Sequence, residues 1–296
     1  MIDALVGGVA LEPRVRAAAE RAASWLERRD PRAARVRAKV LRAFLDEGIA
    51  ESDLAGTTGY GYDDTARARY ESLLARLFGA ERVLARLSIV SGTHAIVAGL
   101  DALVPSGETL LAANGAPYDT LRHAIATAPY ALTTRGVRYA EVERTAGGDT
   151  DLAALGEAVR AARPAVVFVQ RSRGYASRRS LTIEAIANIV EVVRAAHAPA
   201  LVFVDNCYGE LVEEREPLEV GADVIAGSLI KNLGGGLAPA GGYLAGRADA
   251  LERIAARVYA PGLGAGLGPT LGFGRALVQG LFYAPLVVGE ALRGLD

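Results

Sequence analysis

The sequence predicts an α/β protein built on a mainly parallel β-sheet, and two observations carry that reading. Short apolar runs at Arg86–Val90, Thr109–Ala113, Ala165–Gln170, Ala200–Asp205, Asp223–Ala226 and Gly242–Ala245 alternate with helical stretches, the order expected when one strand returns to the next through a helix. The runs Val166-Val167-Phe168-Val169 and Leu201-Val202-Phe203-Val204 are apolar at every position, which marks strands covered on both faces.

The elements follow in order. Val15, Ala18, Ala22, Trp25 and Leu26 recur at helical spacing, and Pro31 separates them from a second helix expected from about Ala33 to Leu45. A Gly-rich loop runs from Gly56 to Asp64, and a helix is expected from about Thr65 to Phe78. Helices expected at Thr93–Leu103, Tyr118–Ala126, Leu152–Ala162 and Leu181–Ala196 lie between the strands. The sequence has no internal repeat and no low-complexity linker.

Length and composition narrow the function classes. The 296 residues fit one large domain, or a large one with a small one, and 51% hydrophobic against 23% charged residues supports a substantial core. The 33 Lys and Arg residues against 34 Asp and Glu leave a net charge of -1, which gives a nucleic-acid binder no bulk charge to work with. One cysteine excludes a disulfide framework and a Cys-rich zinc site; no two of the three histidines stand at ligand spacing, so no metal is expected. Residues 1 to 12 lack the basic-then-apolar pattern of a signal peptide. The most apolar late stretch, Ala276 to Leu292, is interrupted by Gln279, Pro285 and Glu290. A soluble, cytoplasmic protein with no membrane partner is expected.

In a parallel sheet ligands sit beyond the C-terminal ends of the strands, so the polar residues ending each run are the candidates. Lys231 ends one, in Gly227-Ser228-Leu229-Ile230-Lys231-Asn232. It and Lys39 are the only lysines among the basic residues. Arginine cannot shed its proton at useful pH, whereas a desolvated lysine can, and burial is expected to lower the pKa of Lys231 and free its amine for a Schiff base. Asp205 ends another run, placed either as an ordinary cap or as a buried carboxylate that holds a proton on a ring nitrogen. Ser91-Gly92-Thr93-His94 opens a helix after a strand, an anion site if its N–H groups face a phosphate and a plain N-cap otherwise. Tyr118 offers a ring to stack on a cofactor, or a surface tyrosine at a helix start. In Gln170-Arg171-Ser172-Arg173, Arg171 or Arg173 is a candidate for a substrate carboxylate, against the alternative of an ion-paired arginine. His123 and His197 read as surface helix residues and Cys207 as packing. A nicotinamide-dinucleotide protein is disfavoured, because the glycines at Gly234 do not form the expected strand–Gly-x-Gly-x-x-Gly–helix unit.

These signals share one order: phosphate loop, aromatic, Asp, then Ser-x-x-Lys with glycines. With Gly59-Tyr60-Gly61-Tyr62-Asp63-Asp64, Pro117-Tyr118-Asp119-Thr120-Leu121, Gln170-Arg171-Ser172-Arg173-Gly174-Tyr175, Val204-Asp205-Asn206-Cys207-Tyr208-Gly209-Glu210 and Gly234-Gly235-Gly236-Leu237-Ala238-Pro239, the chain resembles the aluminium-resistance family. These are methionine gamma-lyase-like or cystathionine beta-lyase-like fold-type I enzymes that use pyridoxal 5'-phosphate (PLP). The resemblance implies a three-layer, mainly parallel, seven-stranded large domain over residues 56–275, after an N-terminal helical segment at 1–55. Residues 276–296 would open a C-terminal region, with the small domain largely absent.

The resemblance also implies roles. Lys231 would carry the cofactor, Asp205 would pair with the pyridine nitrogen, and Gly92, Thr93 and Ser228 would hold the phosphate beside Ser91 and His94. Tyr118 would stack on the ring, and Tyr60 or Tyr62 would reach the phosphate of a neighbouring subunit, so a homo-oligomer acting on a small amino acid is expected. The implied reaction is Cα deprotonation followed by β- or γ-elimination of a thiol. The alternatives are racemisation, transamination, or an impaired PLP-binding remnant in which no residue takes the role of the C-terminal domain's substrate arginine.

Overall fold

The computed structural model describes residues 12–18, 20–21, 31–259 and 262–293. Ala22, Trp25 and Leu26 lie outside them. Residues 13–18 and 20–21 are helical, and helix α1 spans Pro31–Glu47. Helix α2 spans Thr65–Phe78, capped at its start by the Asp64 side chain and at its end by Gly79 in the left-handed region.

Seven strands follow: β1 (Arg82–Arg86), β2 (Thr109–Ala112), β3 (Arg138–Glu141), β4 (Val166–Gln170), β5 (Leu201–Asp205), β6 (Val224–Ser228) and β7 (Gly242–Gly246). They form one sheet in the order β1-β7-β6-β5-β4-β2-β3. Strand β7 pairs antiparallel with β1 and β6, and every other pairing is parallel. The connecting helices are α3 (Gly92–Leu103), α4 (Leu152–Ala162), α5 (Ile183–His197), α6 (Ala248–Val258) and α7 (Gly274–Arg293).

The apolar strands explain the layering. Alternate residues of β4 point to opposite faces: Val167 and Val169 join a core with α1, α2, α4, α5 and α7, while Val166 and Phe168 join one with α3 and α6. This is the mainly parallel α/β architecture that the sequence predicts, with the three layers and seven strands that the family resemblance implies.

Three elements depart from expectation. Strand β1 lies at Arg82–Arg86 rather than Arg86–Val90, because its register is set by pairing with Gly242–Gly246. Strand β3 has no apolar run, since as an edge strand it is covered on one flank only. The expected helix at Tyr118–Ala126 is a single turn, Asp119–Arg122, that widens into the wider coil of His123–Thr127. Among the described residues no helix is long and apolar enough to cross a membrane.

One contact fixes the loop after β6. A Cβ on Gly235, whose φ is +52°, would come 2.2 Å from the Gly280 carbonyl oxygen. Only glycine lets α7 press directly onto the turn that follows Lys231.

Candidate active site

Parallel pairing places Gln170 beside Asp205 and Asp205 beside Ala226, so the C-terminal ends of β4, β5 and β6 form one edge. Asp205 is buried, and its carboxylate accepts the Cys207 N–H at 3.0 Å. Burial pushes its pKa up, against the pull of the Cys207 amide and thiol, Lys231 and Arg178. A buried carboxylate so lightly compensated calls for a proton donor or a cation.

Lys231 stands over this edge, its Nζ 4.1 Å from the centre of the Tyr208 ring. Here the structure corrects the sequence reading. Burial does pull the lysine down, but Cys207, Tyr208 and Asp205 together outweigh it and hold its pKa above the ordinary value. The amine is a half-buried cation held by its neighbours. Cys207 is buried, as expected of a packing residue, and its thiol is pushed up chiefly by desolvation.

The loop before α3 closes the other side. Ser91 caps the helix by accepting the His94 N–H at 3.1 Å, and His94 Nδ1 accepts the Val90 N–H at 3.2 Å. A Cβ on Gly92 would lie 3.0 Å from Cys207 Sγ and 3.2 Å from Ser228 Cβ. The glycine thus brings the start of α3 directly against the Lys231 loop. Thr93 Oγ1 and Tyr118 Oη share a hydrogen bond of 2.9 Å. Burial raises the Tyr118 pKa, so its hydroxyl stays protonated. Gln170 Oε1 accepts the Tyr118 N–H at 2.9 Å, and the Asn114 side chain brackets the Gln170 backbone on both sides.

Gly92, Thr93, Tyr118, Asp205, Ser228 and Lys231 therefore converge, with Ser91 and His94 shaping the loop. Tyr60 and Tyr62 do not join them. They are 72% and 53% exposed, 6.1 Å apart between ring centres, on a loop that Arg67 anchors through the Gly61 and Gly268 carbonyls.

The two candidate substrate arginines separate. Arg171 is buried, donates to Asn206 Oδ1 at 2.8 Å and Glu213 Oε1 at 3.0 Å, and lies 3.6 Å from Glu216 Oε2. With its charge spent on protein carboxylates it holds the β4 and β5 loops together, which corrects the expectation that it takes a substrate carboxylate. Arg173 is exposed and lines a cavity beside Tyr118. The sequence reading assigned no role to Tyr208, Gln170, Asn114, Arg144, Arg178 or Glu210. Tyr208 and Glu210 stand in the segment Val204–Glu210 and Gln170 in Gln170–Tyr175, the segments that carry the family resemblance.

The site fits a phosphate-bearing pyridine. A lysine, a buried carboxylate whose pKa burial raises, a protonated tyrosine and a close-approach glycine at a helix start are the complementary groups.

Comparison with known proteins agrees. The family model described as methionine gamma-lyase matches residues 12–296. The Bacillus subtilis protein YnbB is 41% identical over 260 residues, covering 86% of this chain and 62% of YnbB. The crystal structure of a carbon-sulfur lyase involved in aluminum resistance from Clostridium novyi NT superposes with a TM-score of 0.84 at 41% identity, over 88% of this chain and 63% of that one. The pyridoxal-5'-phosphate-dependent protein YhfS from Escherichia coli superposes with a TM-score of 0.65 at 25% identity, over 88% and 66%. The chain thus spans a little over three fifths of the length of YnbB and of the Clostridium novyi lyase. On the family match and the shared fold, the chain belongs to the methionine gamma-lyase family.

Proposed function

We propose that the protein is a PLP-dependent enzyme acting on a sulfur-containing or related amino acid, by Cα deprotonation followed by β- or γ-elimination of a thiol. The observation that carries this reading is the placement of Lys231 against buried Asp205, at strand ends that face the Gly92–Thr93 helix start. When bound, PLP supplies an electron sink for charge developing at the Cα carbon.

The chain's own groups do the rest. Gly92 and Thr93 present backbone N–H groups, and Ser228 a hydroxyl, to a phosphate. Asp205 holds a proton at the ring nitrogen, and that positive charge relieves the cost of burying its carboxylate. Tyr118, fixed by Thr93 and Gln170, covers one face of the ring. Lys231 would anchor the cofactor, and its amine, once the substrate's own amino group has displaced it, would take the Cα proton of the substrate. Its neighbours Tyr208 and Cys207 set how readily it gives that proton up. Tyr60 and Tyr62 are exposed, as a role at the phosphate of a neighbouring subunit in a homo-oligomer requires.

The test is PLP uptake, read by visible absorbance, in the wild-type protein and in Lys231→Ala. A screen of thiol-bearing amino acids for released thiol and keto acid follows. Uptake in the wild type alone, with thiol release from at least one amino acid, supports the reading. Equal spectra in both proteins would overturn it.

A further inference from the structure

Beside Tyr118 lies a cavity of about 530 Å³ whose lining does not include Lys231. Tyr118 and Gln170 form its shared wall with the site described above, and Arg144, Arg173 and Arg178 line it. Among the described residues, each hydrogen bond these three arginines donate goes to a backbone carbonyl, and none of them makes an ion pair within 4 Å.

Two of the guanidinium groups converge. Arg144 Nε and Arg178 Nη1 both donate to the Asn114 carbonyl oxygen, at 2.5 and 3.2 Å. Arg178 is fixed further by the Ser172 carbonyl at 2.7 Å and the Arg173 carbonyl at 3.2 Å. Arg144 lies across Gly115, where a Cβ would come 2.9 Å from its Nη2. Arg178 spends three of its N–H bonds in this way and Arg144 one, out of five on each. Two half-buried cations therefore share one oxygen. Burial first, then Arg144, brings the Arg178 pKa down to about 10, against the opposing pull of Asp205. Asp119 and Glu143 also line the cavity, but both are exposed and neither pairs with these arginines. An anion seated here would meet guanidinium forks fixed by backbone carbonyls, with donors left over; the charges of Glu143 and Asp205 act on Arg144 and Arg178, but among the described residues neither carboxylate ion-pairs with them.

Position decides which anion. The α-carboxylate of an amino acid is one bond from the carbon that Lys231 deprotonates, so its binder must share a lining with Lys231. Neither Lys231 nor Asp205 lines this cavity. The group that reaches it lies further along the substrate, past Tyr118.

Resting on the PLP reading above, we propose that Arg178 and Arg144 bind an acidic group at the far end of the substrate side chain, so that the substrate is an amino acid bearing a second carboxylate.

The experiment compares L-2-aminoadipate with L-norleucine. These have the same carbon count and differ in the terminal carboxylate. Binding to the PLP-loaded protein is measured by calorimetry, with PLP uptake recorded in parallel. The expected result is roughly tenfold or tighter binding of L-2-aminoadipate. Arg178→Gln and Arg144→Gln should each bring the ratio towards one while leaving PLP uptake and the norleucine affinity intact. Arg144→Gln gives up a single carbonyl contact and serves if Arg178→Gln fails to fold. Equal binding of the two amino acids by the wild type, or a ratio retained in both variants, overturns the inference. Glutarate, which lacks the amino group, separates the sources of the anion. Displacement of glutarate by L-2-aminoadipate supports a substrate subsite; simultaneous binding of both assigns the cavity to an independent anion and overturns it. Equal binding of the two amino acids by a wild type that takes up PLP normally strikes this inference alone. Failure of the wild type to take up PLP strikes the underlying reading, and glutarate binding that depends on Arg178 in the PLP-free protein still tests the arginines.

Discussion

Behind the Lys231 loop sits a carboxyl group with an unusual environment. Glu210 is buried and accepts a hydrogen bond from Tyr243 Oη at 2.8 Å; among the described residues its Oε2 has no partner, and neither has the nearby Tyr70 hydroxyl. Burial, with the charge of Glu216 adding to it, raises its pKa from 4.5 to about 8, against its own backbone N–H, Tyr243 and Lys231. The folded protein therefore keeps Glu210 protonated at neutral pH while the unfolded chain releases that proton. The native state binds more protons than the unfolded state between these values, so stability falls as pH rises through the interval. One unit is worth about 1.4 kcal/mol, so the three units from about pH 5 to 8 cost the wild type about 4 kcal/mol through this group.

Glu210→Gln removes the titration and keeps an acceptor for Tyr243. Urea unfolding of the PLP-free protein at the two pH values is the assay. The stability difference between variant and wild type should move by about 4 kcal/mol in favour of the variant from pH 5 to pH 8. Parallel pH profiles for the two proteins would refute the claim that this carboxyl is buried and neutral.

The other predictions concern the site and its frame. Asp205→Asn removes a carboxylate whose pKa burial has raised, so the PLP-free variant should match or exceed wild-type stability at pH 8, with that gain lost in acid; PLP titration should show at least about tenfold weaker uptake. Gly92→Val drives methyl groups into Cys207 Sγ, 3.0 Å from the first added carbon; calorimetry should show a loss of about 1–3 kcal/mol, and uptake of PLP should fail. Asp64→Ala leaves the N–H groups of Arg67, Thr57 and Thr270 without their acceptor, at a cost of about 2–4 kcal/mol in denaturant unfolding. Although burial opposes it, those donors hold the Asp64 pKa down, so the gap to wild type should close as pH falls into the acid range.

Much of this frame is legible in the sequence, and particular residues show where legibility ends. The runs ending in Gln170 and Asp205 lie within two residues of the observed strands because continuous apolar character is a local signal. Strand β3, Arg138-Tyr139-Ala140-Glu141, carries no such signal, since its place comes from pairing with β2 at the sheet edge. The convergence of Lys231, Asp205 and Tyr118 could be inferred because each stands at a strand or helix end where this fold exposes side chains. The sign of the Lys231 shift could not, because it depends on the balance of burial against Cys207, Tyr208 and Asp205 in space. The arginines are the least legible. Arg171 and Arg178 are seven positions apart in one loop, yet one is saturated by Glu213 and Asn206 and the other meets Arg144 at the Asn114 carbonyl. Only the long-range contacts distinguish them.

The central claim is that Lys231 anchors PLP. Borohydride reduction of the PLP-treated protein, followed by peptide mass spectrometry, tests it directly because the chain has only one other lysine, Lys39, which is ion-paired to Glu219. The account predicts a covalent pyridoxyl label on Lys231 and none on Lys39. A label on Lys39, or no label on Lys231 at saturating PLP, would contradict it.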